Sequence, residues 1–132
     1  MALARSSDLF AAGVDIHGIY NWNEELKHWF KSYDPNANSA LARVAWESSP
    51  MASVQNWRSP VLLIHGDDDT NAPFSQTVEL ADALRKQGVH HEELILPDEI
   101  HVFLLYRSWL AVYTCAANFF DQQLRSNETQ RQ

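Results

Sequence analysis

Residues 61–65 (VLLIH) form an apolar run that lies between Pro60 and Gly66 and ends in histidine. A strand that is apolar at successive positions suits a parallel sheet covered by helices on both faces. Parallel strands cannot be joined by a tight turn, and they need long crossover connections that are usually helical. The run therefore predicts a buried parallel strand, and it restricts the chain to folds in which strands alternate with helices.

The rest of the sequence supplies such an alternation. Apolar runs predict the other strands, and apolar side chains at helical spacing predict the helices. The predicted strands are residues 9–17, 61–65 and 92–96, the predicted helices are residues 23–31, 73–87 and 108–124, and a polar tail covers residues 125–132. We expect an α/β fold of three α/β/α layers, with a small, mostly parallel sheet of about three strands.

The composition is typical of one soluble domain. The chain has 132 residues, 45% of them hydrophobic, with 5 Trp, 4 Tyr and 6 Phe for a packed core. The formal charge of −7 and the scattered basic residues argue against a nucleic-acid partner or an anionic membrane. No apolar run reaches the roughly 20 residues of a membrane span, and the start lacks a signal-peptide pattern. The single cysteine fits a reducing compartment. We expect a cytoplasmic protein in which Cys115 is a small buried core residue.

Two loops carry the polar residues expected of a site. Catalytic groups of open parallel sheets gather beyond the carboxyl ends of the strands. The loop HGDDDTNAP follows the run at residues 61–65, and the loop PDEIHVF follows the strand at residues 92–96. A carboxylate on the first loop and an imidazole on the second can meet across neighbouring strands. Such a carboxylate would fix the tautomer of the imidazole and stabilise its protonated form, which predicts acid–base chemistry at this edge.

These loops and their surroundings resemble a known family. The stretches SPVLLIHGDDDTNAPFSQTVELADAL (residues 59–84) and LPDEIHVFLLYRSW (residues 96–109) resemble the end of the catalytic domain of the prolyl oligopeptidase family, which includes dipeptidyl and acylaminoacyl peptidases. The opening ALARSSDLFAAGVDIHGIYNW (residues 2–22) resembles the segment that follows the family's nucleophile-bearing helix. The resemblance implies that residues 1–124 are the C-terminal half of an α/β-hydrolase domain that cleaves peptide or acyl bonds, followed by the polar tail.

The same resemblance assigns catalytic roles to two residues. Asp69 takes the place of the triad acid, and Asp68 is the alternative acid if the loop register differs by one. His101, which is 32 residues after Asp69, takes the place of the general base and acid. Ile100 and Val102 stand where the family commonly has glycine beside this histidine. Because β-branched residues do not tolerate positive φ, we expect the loop to differ there.

The remaining histidines have simpler interpretations. His65 ends the buried strand and is expected to order the following loop, while His17 and His28 are expected to be structural or surface residues. A metal site built from residues 90–93 (HHEE) is not expected, because alternate residues of a strand point to opposite faces. The sequence predicts no metal and no other cofactor.

The family's nucleophile is not found in this sequence. The serine of such a hydrolase lies in a Gly-x-Ser-x-Gly turn between a strand and a helix, and no such pattern surrounds the glycines at positions 13, 18, 66 and 88. The resemblance places that turn just before Met1. Ser75 is expected to be an ordinary helix-surface residue. We therefore expect little or no peptidase activity from the chain alone. Two alternatives stay open: an oligomeric esterase-like hydrolase with a rebuilt site, and a non-catalytic assembly or binding module.

An incomplete sheet has a consequence for assembly. A complete α/β hydrolase would place another strand beside the one predicted between Leu9 and His17. Without that neighbour the strand presents an unpaired edge, and such edges invite pairing with another chain. We expect self-association through this edge into a symmetric homo-oligomer.

Overall fold

The computed structural model of the protein describes residues 1–129, with side chains described up to Arg125. Three strands alternate with helices along the chain, as predicted. The helices are α1 (Ala2–Arg5), α2 (Trp22–Trp29), α3 (Ser39–Glu47), α4 (Ser75–Gln87) and α5 (Tyr106–Thr129), the 3₁₀ segments are Ser7–Leu9 and Pro50–Asn56, and the strands are β1 (Gly13–Ile16), β2 (Val61–Gly66) and β3 (His91–Leu96).

The strands form one parallel sheet in the order β1–β2–β3. Gly13 pairs with Val61, which pairs in turn with His91, so the amino ends of the three strands are in line. Every residue of β2 is buried, because β2 has a neighbour on each side and helices on both faces. The carboxyl ends of all three strands therefore meet at one edge of the sheet, called the carboxyl edge below.

Alternate residues of β2 point into two separate cores, which confirms the three-layer arrangement. Val61 and Leu63 pack with the inner face of α4, where Leu80 and Leu84 are fully buried. The residues between them pack on the other face of the sheet. That core contains Leu62, Ile64, Leu96, Phe103, Val112 and Phe119. A strand buried on both faces fits the apolar run that the sequence shows at these positions.

The first strand is shorter than predicted. It begins at Gly13 because the residues before it bond to the segment before β2 through serine side chains and not through a strand ladder. The Ser7 hydroxyl oxygen lies 2.8 Å from the backbone nitrogens of Arg58 and Ser59, and the Ser59 hydroxyl lies 2.8 Å from the carbonyl oxygen of Phe10. These hydrogen bonds satisfy backbone groups that a longer strand would have paired in the ladder.

The helix α4 follows the prediction closely, with a start at Ser75 and not at Pro73. It ends at Gly88, whose φ of 69° is the left-handed conformation that glycine adopts without a steric penalty. α2 is displaced by one or two residues from its predicted bounds, and it is capped by the Asn21 side chain, which accepts a hydrogen bond from the backbone N–H of Asn23.

The last helix departs from the prediction at both ends. α5 begins at Tyr106, so Ser108 is not its cap, and the Ser108 hydroxyl donates instead to the carboxylate of Glu99. The helical backbone continues to Thr129, which corrects the predicted end at Leu124 and the first part of the predicted tail at residues 125–132. The rest of that tail, residues 130–132, lies outside the described residues. Within residues 1–129, no helix is long and apolar enough to cross a membrane.

Candidate active site

Polar side chains from all three strand ends meet at the carboxyl edge. His17 follows β1, His65 lies within the end of β2, Asp69 lies in the loop after β2, and His101 lies in the loop after β3. Parallel strands place their carboxyl ends side by side, and that is why residues so far apart in the sequence come together here.

The backbone after β2 folds around the side chain of Asp69. One carboxylate oxygen of Asp69, Oδ1, accepts hydrogen bonds from the backbone N–H groups of Asn71 at 2.8 Å and Ala72 at 2.9 Å. This Asx-type turn is the local structure that aspartate favours in loops. The Asp69 side chain is fully buried, so its second oxygen is held in one direction.

That second oxygen contacts His101. Oδ2 of Asp69 lies 2.8 Å from Nδ1 of His101. Because a carboxylate only accepts, Nδ1 carries the proton, and the unprotonated nitrogen of the neutral ring is Nε2. No hydrogen bond to Nε2 of His101 is formed within the described part of the chain, and the side chain is 31% exposed. The structure thus brings together the two residues that the sequence pairs, and it leaves Nε2 open for a proton transfer.

The charge state of Asp69 follows from its surroundings. Burial alone would raise the pKa of this carboxyl group, but the hydrogen bonds from Ala72, His101 and Asn71 outweigh burial, and the pKa is lowered overall. Asp69 is therefore ionised in the neutral range. Asp68, the alternative acid, is exposed, and its backbone N–H donates to the carbonyl oxygen of Glu99. Of the two candidates, Asp69 has the geometry of an acid that orients a histidine.

His65 contacts the same carboxylate from the other side. Its Nε2 lies 3.1 Å from Oδ2 of Asp69 and 3.0 Å from the carbonyl oxygen of Ala72. Both of these groups are acceptors, so Nε2 carries a proton, and in the neutral ring Nδ1 accepts a hydrogen bond from the Thr77 hydroxyl at 2.6 Å. The completely buried ring thereby links the end of β2, the loop and α4. Its position fits the predicted role of ordering the loop, with a direct contact to Asp69 that the sequence does not indicate.

His17 lies closer to the site than the sequence predicts. Its ring centroid is 4.1 Å from that of His101, and its backbone N–H donates to the carbonyl oxygen of Ile64. Burial, and next the charge of His101, lower the pKa of His17. The rule that selects residues 65–73, namely position at the carboxyl end of a strand, also applies to His17. The segment around His17 contains no recognisable loop motif, however. Only its position at the end of a strand could have indicated that His17 lies in the site.

The loop that carries His101 is fixed by Glu99. The Glu99 carboxylate accepts hydrogen bonds from the Ser108 hydroxyl and from the backbone N–H of Leu104, and these bonds lower the pKa of the carboxyl group. The positive φ in this loop, 59°, falls on Asp98. The β-branched neighbours of His101 therefore avoid the strained region, which is how the loop accommodates residues where the family commonly has glycine.

The other candidates lie away from the site or in supporting positions. His28 contacts the carbonyl oxygen of Thr70 through Nε2 at 2.7 Å, so it links α2 to the loop that bears Asp69. His90 and His91 each face a glutamate at 3.5 Å, Glu92 and Glu93 respectively. Among the residues that the structure describes, no cluster of three or more His, Cys, Asp or Glu side chains is arranged to hold a metal ion.

A parallel sheet between helices, with an aspartate and a histidine meeting beyond adjacent strand ends, is the arrangement of an α/β hydrolase. Comparison with known proteins identifies the family within this fold class. The chain belongs to the prolyl oligopeptidase family, whose sequence model matches residues 1–127. This confirms the resemblance seen in the loop sequences.

Individual relatives show how much of such a protein the chain represents. It is 31% identical to dipeptidyl-peptidase 5 of Porphyromonas gingivalis over 125 residues, which are 88% of this chain and 18% of the relative. It is 31% identical to a probable chloroplastic glutamyl endopeptidase of Arabidopsis thaliana, over 90% of this chain and 13% of the relative. Acylaminoacyl peptidase of Pyrococcus horikoshii has a similar structure, with a TM-score of 0.79 and 25% identity over 92% of this chain and 21% of that one. The chain thus spans about a fifth or less of these proteins.

Proposed function

We propose that this chain carries the acid–base part of a serine-peptidase active site, which acts on peptide or acyl bonds. The observation that supports the proposal most directly is the contact between Asp69 and His101. A buried, ionised carboxylate holds Nδ1 of a partly exposed imidazole, and it leaves Nε2 facing outward. Membership of the prolyl oligopeptidase family supplies the reaction class.

The geometry suits the proton transfers of acyl transfer. In this mechanism Nε2 of His101 removes a proton from an attacking hydroxyl group and later gives it to the leaving group. Asp69 keeps the proton of the neutral ring on Nδ1 and stabilises the imidazolium that forms when Nε2 takes up its proton. Neither step needs Asp69 itself to be protonated, and this agrees with the lowered pKa of Asp69.

The four buried serines of the described chain are poorly placed to supply that hydroxyl group. Ser7 and Ser59 bond to each other and to backbone groups before the start of β2. His101 lies beyond the other end, and a strand of this length spans about 20 Å. The Ser49 and Ser108 hydroxyls are buried and donate to Ala45 and Glu99, respectively. Since the 132 residues also contain no Gly-x-Ser-x-Gly turn, we propose that this chain alone hydrolyses peptides and esters weakly or not at all.

A fluorophosphonate probe tests this proposal, because it labels a serine only when a nearby base activates the hydroxyl group. We expect no serine of the folded 132-residue chain to be labelled in excess of the same chain unfolded in urea. A known serine hydrolase in the same tube verifies that the probe is active. Residual acceleration of ester hydrolysis should stay at or below the roughly 10³–10⁴-fold over water that hydrolases keep without a triad member.

The contrary outcome is equally informative. If mass mapping finds one labelled serine, and the label is lost in His101→Ala but kept in the control His90→Ala, the chain has a rebuilt site of its own. The esterase-like alternative would then replace the present proposal. His90 is a suitable control because it is more than half exposed on β3's amino side, away from the carboxyl edge.

We also propose that the chain associates with a second copy of itself through β1. Gly13 and His17 donate their backbone N–H groups to the β2 side. Because alternate residues of a parallel strand bond to the same neighbour, the N–H groups of Val14 and Ile16 face the open side. An open groove of about 280 Å³ beside this edge is lined in part by Phe10. A strand from a second copy could satisfy these groups.

Phe10→Asp should weaken this association, since it places a charge in the apolar groove. Tyr113→Asp is the matched control, because it adds the same charge at another exposed aromatic residue, on α5. In light scattering at micromolar concentration we expect dimers for the parent chain and the control, and monomers for Phe10→Asp. Salt should strengthen association, because it screens the repulsion between copies with a formal charge of −7. A monomeric parent chain at high salt would contradict the proposal.

A further inference from the structure

The residue that follows β1 packs on the ring of the proposed general base. His17 has a φ of 44°, in the left-handed region that few residues other than glycine adopt, although histidine is among the more tolerant ones. This turn of the backbone directs the His17 ring over the carboxyl edge. There it lies 4.1 Å from the His101 ring, tilted by 49°, and 5.5 Å from the ring of Phe103. Unusual backbone conformations of this kind occur disproportionately at functional sites.

We propose that His17 is a positioning residue for His101: its neutral ring packs on the imidazole and holds it toward Asp69, and protonation of both rings breaks this contact. The proposal rests on the proposed function in one respect only, namely that His101 is the general base.

The His101 ring has few other contacts that would hold it in place. One hydrogen bond, from Nδ1 to Asp69, fixes the ring at a single point, and a ring held at one point can still swing. The neighbours in the sequence give little help, since Ile100 and Val102 are 40% and 62% exposed. The His17 ring is therefore the contact that restrains the His101 ring from its β1 side. A base that is held in place transfers protons more efficiently than a mobile one, because proton transfer requires a narrow range of geometries.

The electrostatics of the site disfavour a proton on the His17 ring. The titratable groups that face His17 are His101 from the loop after β3, and Asp69 and His65 from β2 and its loop. His101 and His65 disfavour a charge on His17, and Asp69 favours one. The Asp69 carboxylate bonds directly to His101 and not to His17. Burial, and next the charge of His101, lower the pKa of His17, so the His17 ring favours its neutral form beside His101.

Nuclear magnetic resonance titration of the histidine rings in the 132-residue chain tests the electrostatic half of the proposal. We expect His17 to titrate below its ordinary value. In His101→Phe, which keeps an aromatic ring and removes its charge, the pKa of His17 should shift upward, because a like charge is lost while Asp69 remains. The control His90→Phe removes a distant histidine and should leave the pKa of His17 unchanged. An unchanged pKa of His17 in His101→Phe would overturn the coupling between the two rings.

The tautomer of His101 tests the positioning half. Long-range ¹H–¹⁵N spectra above the titration range should show the proton of His101 on Nδ1 in the parent chain. His17→Asn suits the left-handed backbone but removes the ring, and it should give a mixture of tautomers. His17→Phe keeps a ring of similar size and should preserve the Nδ1 form. A His17→Asn chain that keeps the Nδ1 form, or a folded His17→Phe chain that loses it, would overturn the proposal.

These readouts do not depend on hydrolysis. Backbone amide spectra show whether each variant is folded, and if His17→Phe fails to fold, His101→Phe and His17→Asn still decide the question. A labelled serine in the fluorophosphonate experiment would overturn the proposal on the nucleophile and leave the ring contact intact. Equal tautomer populations in the parent chain and His17→Asn would overturn the role of His17 and leave the Asp69–His101 pair intact.

Discussion

Gly66→Ala is expected to destabilise the protein more than any other single methyl addition that the structure suggests. An alanine Cβ at this position would lie 2.1 Å from the backbone carbonyl oxygen of Glu99. The obstacle is backbone, and the Glu99 side chain is itself held by Ser108 and Leu104, so the loop cannot move aside without losing those bonds. Overpacking typically lowers the free energy of unfolding by about 1–3 kcal/mol and sometimes more. For Gly66→Ala we expect a decrease of about 3 kcal/mol or more.

Urea unfolding measures this loss, and Gly88→Ala is the matched control. Gly88 has a positive φ, but a methyl group added to it would have no atom within 4 Å, so its replacement introduces backbone strain alone, about 1–2 kcal/mol. The destabilisation of Gly66→Ala should clearly exceed that of Gly88→Ala. If the two changes cost the same, the contact between β2 and the His101 loop is looser than the structure indicates.

Asp69→Ala is expected to have the second large effect. Its carboxylate satisfies the backbone N–H groups of Asn71 and Ala72 and contacts the rings of His65 and His101. The side chain is fully buried, so removing it leaves the donors that it satisfies without their partner. An unsatisfied buried group costs about 1–3 kcal/mol, and with more than one such group we expect a loss of about 3 kcal/mol or more at neutral pH. Asp68→Ala changes an exposed residue, removes the same charge and should change the stability by less than about 0.5 kcal/mol.

The effect of Asp69 should depend on pH in a defined direction. The pKa of Asp69 is lowered in the folded state, because hydrogen bonds from Ala72, His101 and Asn71 outweigh the effect of burial. A carboxyl group of this kind stabilises the fold above its ordinary pKa of 3.8 and loses that contribution as the pH falls through the lowered value. The difference in unfolding free energy between the parent chain and Asp69→Ala should therefore be largest at neutral pH and should shrink in strong acid. A difference that is the same at pH 7 and in strong acid would contradict an ionised Asp69.

The sequence predicts the sheet because one signal is unambiguous there. The apolar run at residues 61–65 is buried on both faces, and such a strand is difficult to place anywhere except at the centre of a parallel sheet. The loops at the carboxyl ends of β2 and β3 follow from the same inference, which is why Asp69 and His101 could be selected together. The two side chains, 32 residues apart in the sequence, are in contact in the structure, with 2.8 Å between Oδ2 of Asp69 and Nδ1 of His101.

What the sequence does not predict depends on interactions between distant residues. β1 begins late because the Ser7 and Ser59 hydroxyls bind backbone groups of each other's segments, across 52 residues of sequence. α5 begins at Tyr106, before the predicted cap, and Ser108 donates to Glu99 instead of capping the helix. His17 reaches His101 through a positive φ that neither hydrophobic periodicity nor turn residues indicate. Local patterns give the elements, but side-chain hydrogen bonds between elements set their ends and complete the site.

The order of the strands also bears on how the site is assembled during folding. Asp69 lies within the β2–α4–β3 unit and His101 lies in the loop that follows it, and paired residues of this unit such as Val61 and His91 are 30 positions apart. His17 directly follows β1, whose residue Gly13 and its partner Val61 are 48 positions apart and separated by α2, α3 and a 3₁₀ segment. The shorter crossover has the smaller loop-closure entropy and a single helix to form. The aspartate and the histidine thus meet through the more local of the two pairings, and we expect β1 to pair later and to bring in the His17 ring.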